Sequence, residues 1–206
     1  MRKLLKITAG VACAIGVFST SMAESPEGLS KVYASTPVDA PQAIIYDAVS
    51  AMSFFRTLTG QWTNSPMETD SPAAGSHVSH GYGTSGISGI KTSVRTIAAG
   101  SVVEWASFEG TPMEMVTMLH MDGPDKLFYT HYCAAKNVPK LQFQKTGKPG
   151  EIRFDYVSGE NLNPAVDSHA HGLTFQIVDT NTIVQELTAY SGGKPTHEKS
   201  VFKRTD

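Results

Sequence analysis

From Lys91 onward, apolar and polar residues alternate in short runs that are separated by turn-forming residues. A period of two is typical of strands that bury one face, and glycine, proline and asparagine mark the turns, as at Asp122-Gly123-Pro124. The connections are too short for crossover helices, so we expect the strands to pair antiparallel. Nine strands are predicted, over Lys91–Ala98, Ser101–Phe108, Met113–Met121, Leu127–Ala135, Leu141–Lys145, Glu151–Val157, His171–Val178, Ile183–Tyr190 and His197–Lys203.

A different pattern, with apolar residues three and four positions apart, precedes these strands and predicts a helix over residues 39–56. Asp39 is a suitable N-cap, and Pro41 fits the first helical turn, where a backbone N–H is not needed. The apolar positions of this helix are Ile44, Ile45, Ala48, Met52 and Phe55.

Gly60-Gln61-Trp62 follows the helix and indicates how the strands are arranged. An aromatic residue at the start of an antiparallel meander can plug one end of a closed barrel, and glycine lets the first strand bend around it. We therefore expect a mainly β fold, a single antiparallel β-barrel with the short N-terminal helix across one end. Residues 63–89 are rich in serine, glycine and proline and are predicted to form a long loop or a broken strand.

Residues 1–23 have the features of a secretory signal peptide. Arg2, Lys3 and Lys6 form a basic start, an apolar run follows to Phe18, and Ser21-Met22-Ala23 places small residues before the predicted cleavage point. Cleavage after Ala23 would give an exported protein, periplasmic or extracellular. It would leave an extended leader over residues 24–37 and one folded domain over residues 38–206.

Two alternatives exist for the N-terminal segment, a retained membrane anchor and a lipid attached to Cys13. The apolar run is short for a bilayer-spanning helix and is interrupted by polar residues, which favours cleavage and argues against stable membrane insertion. Cys13 follows Gly10 at the point where a lipid-modification signal has a large aliphatic residue, so ordinary export is favoured there as well.

Charge and cysteine content narrow the classes of partner. Removing residues 1–23 takes away three basic residues and no acidic one, which leaves 14 basic against 19 acidic residues and a formal net charge of −5. An acidic balance argues against nucleic acid and anionic membrane surfaces as partners.

Cys133 is the only cysteine in the remaining chain, so no internal disulfide forms and stability has to come from burial. The oligomeric state is left open.

Three segments carry a resemblance to a known family: Thr130–Ala135 with Asn137 and Pro139, Asn161-x-Asn163-Pro164, and His169-x-His171. Together with the Gly60-Gln61-Trp62 start and a closing strand before Gly192, they resemble the calycin superfamily. More narrowly, the chain resembles an uncharacterised group of exported bacterial lipocalin-like domains over about residues 50–205. The resemblance implies a lipocalin-like barrel and brings no agreed activity with it.

Histidine supplies the candidate chemistry. His131 and Cys133 lie two residues apart on one predicted strand, and His169 and His171 lie two apart at the start of another. Residues two apart on a strand share a face, so the four side chains could converge on one cavity. His131, His169 and His171 would then suit zinc or another transition metal. The alternative is that they are polar side chains at a barrel rim, bonded to backbone or water.

Five further residues complete the predicted ligand site. Trp62 closes the barrel end, and Tyr132 and Asn137 belong to the segment that carries the family resemblance. Glu104 could bind a polar group if it faces inward or be a surface charge if it faces outward, and His120 lies among apolar residues. The methionines at 113, 115, 118 and 121 could line an adaptable pocket or fill a core.

Three functions are compatible with these observations. The first is a binding module that holds a small, partly apolar molecule inside the barrel. The second is a metal- or haem-dependent enzyme that uses the histidines. The third is a structural envelope protein whose barrel is filled with side chains. The sequence has no nucleophile elbow, phosphate loop, dinucleotide fingerprint or His-Glu-x-x-His motif, and it names neither a ligand nor a cofactor.

Overall fold

The protein is a ten-stranded barrel with one α-helix in the part of the chain that the computed structural model describes, which is residues 45, 47–66 and 89–206. The helix is α1 (Ala48–Thr57), and a single 3-10 turn covers Ala98–Gly100. The strands are β1 (Gly60–Pro66), β2 (Ile90–Ile97), β3 (Val102–Ser107), β4 (Met115–Met121), β5 (Leu127–Tyr132), β6 (Val138–Gln144), β7 (Glu151–Glu160), β8 (His169–Asp179), β9 (Thr182–Ser191) and β10 (Lys194–Arg204).

Each strand pairs antiparallel with the next one along the chain, and β1 closes the barrel against β10. In the closing pair Trp62 lies opposite Arg204, and Asn64 lies opposite Phe202. Closure leaves no free sheet edge, which is the usual reason for a meander to form a barrel. The predicted fold class, a mainly β single antiparallel barrel with a short helix before it, is confirmed.

All nine predicted strands are present, and their ends differ by a few residues. The largest differences are three residues, at the starts of β6 and β10 and the ends of β5 and β7. β5 ends at Tyr132 and not at Ala135 because a turn with Lys136 at a φ of 67° follows it. Of the two alternatives for residues 63–89, a long loop or a broken strand, the first four residues follow the strand alternative, since β1 continues to Pro66. The rest of that predicted loop lies outside the described residues.

Helix α1 begins later than predicted. Asp47 is the N-cap, with an extended backbone, and its carboxylate accepts a hydrogen bond of 2.8 Å from the backbone N–H of Ser50. The Ser50 hydroxyl in turn accepts from the Asp47 backbone N–H, which completes a capping box. The prediction of a helix start at Asp39 is therefore wrong, because the reciprocal cap at Asp47 sets the first turn. Asp39 and Pro41 lie outside the described residues.

The core lies where α1 meets the barrel interior. Phe55 on α1 is fully buried, and its ring lies 5.9 Å from that of Phe154 and 5.2 Å from that of Phe175. Trp62 is also buried, and its indole N–H donates to the Leu58 carbonyl oxygen at 2.8 Å. Large apolar side chains therefore fill this end of the barrel, as predicted from the helix and the Gly-x-Trp motif.

Gly60 is required at the start of β1. Its φ is 143°, a value that favours glycine, and a Cβ at this position would collide with the Arg204 guanidinium. That guanidinium lies over the Trp62 ring, 4.4 Å from the centroid, and donates to the Thr59 and Thr57 carbonyl oxygens at 2.7 and 3.1 Å. The absence of a side chain at Gly60 thus leaves room for Arg204, whose hydrogen bonds join the last strand to the end of α1.

Candidate functional site

A cavity of about 60 Å³ lies inside the barrel, toward the strand ends opposite α1. Asn64, Ser107 and His131 mark its position, because each comes close to the end of its strand. Inward-facing Gln185 and Leu187 are only partly buried, which connects the cavity with solvent. The cavity is lined by Asn64, Ile90, Thr92, Trp105, Ser107, Phe108, Met115, Thr117, Tyr129, His131, Ala170, Leu173, Gln185, Leu187 and Phe202.

The cavity exists because small and polar residues take inward positions that large apolar residues take near α1. Trp105, Thr117 and His131 lie side by side on β3, β4 and β5, so one row across the sheet holds an indole, a hydroxyl and an imidazole. Asn64 extends the polar lining on β1, where its side-chain oxygen accepts from the Ile90 N–H at 3.0 Å. The lining is therefore mixed, with apolar walls and a few polar groups.

Thr117, Tyr129 and His131 form a polar cluster in the wall. The Thr117 hydroxyl lies 2.9 Å from Nδ1 of His131, and the Tyr129 ring stacks on the imidazole at 6.3 Å. Burial lowers the pKa of His131 to about 4. Burial also raises the pKa of Tyr129 to about 12, against the opposing effect of its hydrogen bond with Thr117. At neutral pH the cluster is consequently uncharged.

His131 is the only one of the nine predicted ligand residues that lines this cavity. Trp62 is inside the barrel, but it belongs to the core beneath α1 and does not line the cavity. Met115 does line it, so one of the four methionines that could form a pocket takes part. Met121 packs against the core, and Met113 is exposed.

Glu104 and His120 lie on the outer face of the barrel. Glu104 is paired with Arg95 on the neighbouring strand, with a hydrogen bond of 2.8 Å from Arg95 Nε. His120 packs beside the Phe128 ring at 5.8 Å, on the side of β4 opposite Leu119, which is fully buried. Alternation along each strand gives the reason: the inward positions are occupied by their neighbours, such as Trp105 and Leu119.

Tyr132, Cys133 and Asn137 lie at the turn between β5 and β6, outside the cavity lining. Tyr132 is half exposed to solvent. The Cys133 sulfur lies 3.9 Å from the Met115 sulfur, so it sits just behind a residue of the cavity wall. Asn137 is buried, and its amide donates to the Ser168 carbonyl oxygen at 2.9 Å, which ties this turn to the start of β8.

His169 and His171 form a separate aromatic cluster with two tyrosines. The His171 ring stacks on Tyr156 at 5.0 Å and lies 4.1 Å from the ring of Tyr190. Nε2 of His169 lies 3.1 Å from Nδ1 of His171, and Nδ1 of His169 lies 2.8 Å from the Asp167 carbonyl oxygen. Burial first, and the neighbouring His169 second, lower the pKa of His171.

The predicted metal set of His131, His169 and His171 is not assembled in the structure. A carbonyl oxygen only accepts, so Nδ1 of His169 donates to Asp167, and its Nε2 is bonded to His171. Both ring nitrogens of His169 are thereby engaged, and His131 lies in a different cluster. Within the described residues no three His, Cys, Asp or Glu side chains are grouped so that they could hold a metal ion.

The sequence contained a signal for the residues that the prediction missed. Thr117 lies between Met115 and Leu119 on one strand face, and Gln185 lies between Ile183 and Leu187 on another. A polar residue that interrupts an otherwise apolar inward face indicates either a buried hydrogen bond or a cavity. Histidine content identifies only His131 in the cavity lining, whereas these interruptions identify Thr117 and Gln185.

Comparisons with known proteins add one distant likeness. No protein-family model matches the chain, and no curated protein matches it. The crystal structure of Rv2717c from M. tuberculosis is similar, with 12% sequence identity, a TM-score of 0.46, and coverage of 77% of this chain and 98% of that chain. Within the described residues no helix has the length and apolar character needed to cross a membrane.

Proposed function

We propose that the protein is an exported, lipocalin-like binding module that holds a small, partly apolar molecule in the cavity of its barrel. The observation that carries this proposal is the mixed lining: apolar walls such as Trp105 and Phe202, with a few polar groups that include Asn64 and Gln185. Ligand sites commonly combine apolar walls with a small number of placed polar groups. The order of basic, apolar and small residues over 1–23 supports the export part of the proposal.

The absence of strong positive charge supports a small molecule as the partner. The mature chain would carry a net charge of −5, which disfavours nucleic acid and anionic membrane surfaces. The lipocalin-like resemblance fits the same function, because calycin barrels enclose their ligands.

The competing function is a structural envelope barrel, and one observation favours it. The cavity of about 60 Å³ is small beside ordinary ligand pockets, which measure roughly 300–1,000 Å³. Side chains fill the remaining interior near α1, including Phe55, Phe154 and Phe175. The two functions differ in one measurable respect, which is whether the cavity has an occupant.

Native mass spectrometry of the mature protein, recovered from the envelope of its source cells, tests the proposal. We expect a retained small molecule in the wild-type protein and none in Ala170→Leu, because the added side chain fills the cavity that Ala170 lines. Thr174→Leu is the matched control, since Thr174 lies on the outer face of the same strand, and it should retain the molecule. A wild-type protein that is empty, and whose melting temperature is raised by Ala170→Leu, would support the structural barrel instead.

A further inference from the structure

The size of the cavity limits what part of a ligand it can enclose. An enclosed cavity of roughly 150 Å³ holds benzene, which has six non-hydrogen atoms. The cavity here, at about 60 Å³, offers less than half of that space. Scaled by volume, it has room for two or three non-hydrogen atoms, and the remainder of any larger ligand extends toward solvent past partly buried Leu187.

The charge of the lining limits the chemistry of that group. None of the lining residues in the described part of the chain is Asp, Glu, Lys or Arg, and burial keeps His131 neutral by lowering its pKa to about 4. Glu198 lies on the same face of β10 as Phe202, four residues earlier, and is outside the lining. A buried charge without an opposite partner costs far more than a neutral polar group, so an ionic group is excluded from the cavity.

Polar groups in the wall supply hydrogen bonds to a neutral occupant. Gln185 is partly buried, and the described residues provide its side-chain amide with no hydrogen bond, so that amide can both donate and accept. The Thr117 hydroxyl is already bonded to His131 and Tyr129, so it has the capacity for one further hydrogen bond to an occupant. A group with both a donor and an acceptor satisfies this wall better than a hydrocarbon does.

We propose that the cavity accepts the uncharged, compact end of a ligand, a group of two or three non-hydrogen atoms such as a primary amide or the terminal carbon and oxygen of an alcohol. This inference rests on the binding function proposed above. Gln185 and Thr117 hold the polar atoms of the group, and Trp105 and Phe202 contact its carbon atoms. The net charge of the whole ligand is unrestricted, provided that its charge lies outside the cavity.

Two tryptophans make the inference measurable. The chain has two, of which Trp105 lines the cavity and Trp62 lies in the core beneath α1. Their indole N–H signals in a nitrogen-15 correlation spectrum report on the two ends of one molecule. The probes are two pairs of similar size, acetamide against acetate and ethanol against ethylammonium, titrated at pH 7 into the intact mature protein.

We expect acetamide and ethanol to shift the Trp105 signal in a saturable manner, with apparent dissociation constants in the roughly millimolar range that such small molecules reach. Acetate and ethylammonium should bind roughly tenfold more weakly or not at all. Trp62 should not respond to any probe. Gln185→Met, which keeps the size and removes the amide, should weaken acetamide by about fivefold. Gln142→Met, on the outer face of β6, is the matched control and should leave the titration unchanged.

The possible results separate the two proposals. Equal binding of acetate and acetamide, or of ethylammonium and ethanol, would overturn the neutral-group inference and leave the binding function standing. An unchanged acetamide affinity in Gln185→Met would overturn the role given to that residue. A Trp105 signal that responds to none of the four probes would overturn the binding function itself, because the cavity would then be closed to molecules that fit it.

Discussion

The two ends of the barrel are built from the same strands and differ in the side chains that face the interior. Toward α1 the inward side chains are large and apolar, and Phe55, Phe154 and Phe175 are fully buried against one another. Toward the opposite end the inward positions include Asn64 and Thr117, and a cavity remains. The number of strands and their closure therefore do not determine whether the interior is filled. The volumes of the side chains at a few inward positions determine it.

A second difference is the helix. At one end α1 contributes its buried face to the core, so the interior is sealed by apolar side chains. The cavity end has polar groups that satisfy one another, such as Thr117 and His131. Stability should consequently depend most on the α1 end, and sensitivity to acid should depend most on the cavity end. Four predictions follow from this contrast, in order of decreasing effect.

Trp62→Ala should lower the free energy of unfolding by roughly 3–5 kcal/mol, because it removes a buried indole from the α1 end. The same change removes the hydrogen bond to Leu58 and the surface on which Arg204 stacks. Urea unfolding followed by far-UV circular dichroism measures the effect. Val49→Ala, at an exposed site on α1, should stay within about 0.5 kcal/mol of the wild type. Equal stability of the two variants would contradict a core centred at this end.

Acid should destabilise the cavity end through His131. The pKa of this residue is lowered from 6.5 to about 4 in the folded protein, so between those values the unfolded chain binds a proton that the folded chain does not. The free energy of unfolding should fall as the pH is lowered from about 6.5 to about 4, by about 3 kcal/mol from this group, and then level off.

The measurement is a set of urea unfolding curves across that pH range for the wild type and His131→Gln. The variant should lack this part of the pH dependence. His197→Gln, at an exposed histidine, should keep it. A His131→Gln variant with the same pH dependence as the wild type would show that acid acts on the protein elsewhere.

Thr117→Val should cost roughly 1–3 kcal/mol, because it preserves shape and removes the hydroxyl that bonds to buried His131. Differential scanning calorimetry measures the loss. Thr174→Val, on the outer face of β8, should change stability by no more than about 0.5 kcal/mol. If the two valine variants melted alike, the polar cluster would contribute nothing to the cavity wall.

Asp47→Ala should lower the free energy of unfolding by about 1 kcal/mol, because α1 loses its N-cap. Asp47→Asn keeps an oxygen that accepts from Ser50 and should be nearly neutral. Urea unfolding of both variants distinguishes the cap from the charge. An asparagine variant as unstable as the alanine variant would assign the effect to the charge of Asp47, whose pKa is lowered chiefly by its hydrogen bond with the Ser50 backbone.

Most of the fold was predictable because the sheet is a meander whose strands bury one face. Alternation located nine strands, and the Gly60-to-Trp62 motif located the tenth. The start of α1 was not predictable from apolar spacing, since Ile45 fits a helical pattern and still lies outside the helix. The reciprocal bonds between Asp47 and Ser50 set the start of α1, and apolar spacing carries no information on such a cap.

The candidate site was much less predictable than the fold. Period-two alternation gives two faces and does not say which one is inside when both carry apolar residues, as at Glu104 and His120. In addition, β8 has a register shift between Ala170 and Gly172, which leaves His171 without a partner on β9. The two rings still meet, with Nε2 of His169 lying 3.1 Å from Nδ1 of His171, but neither residue lines the cavity that contains His131. Spacing along one strand predicts such a neighbour and does not predict which cluster on another strand it joins.

The pairing of β1 with β10 has a consequence for the order in which the molecule is assembled. Arg204 donates to the Thr57 and Thr59 carbonyl oxygens, 147 and 145 residues away in the chain. During synthesis, therefore, one edge of β1 remains unpaired until β10 has been made. Contacts of such long sequence separation form slowly and expose strand edges in the meantime. A chain that stayed unfolded until its synthesis was complete would avoid that interval, because all ten strands would then be able to pair together.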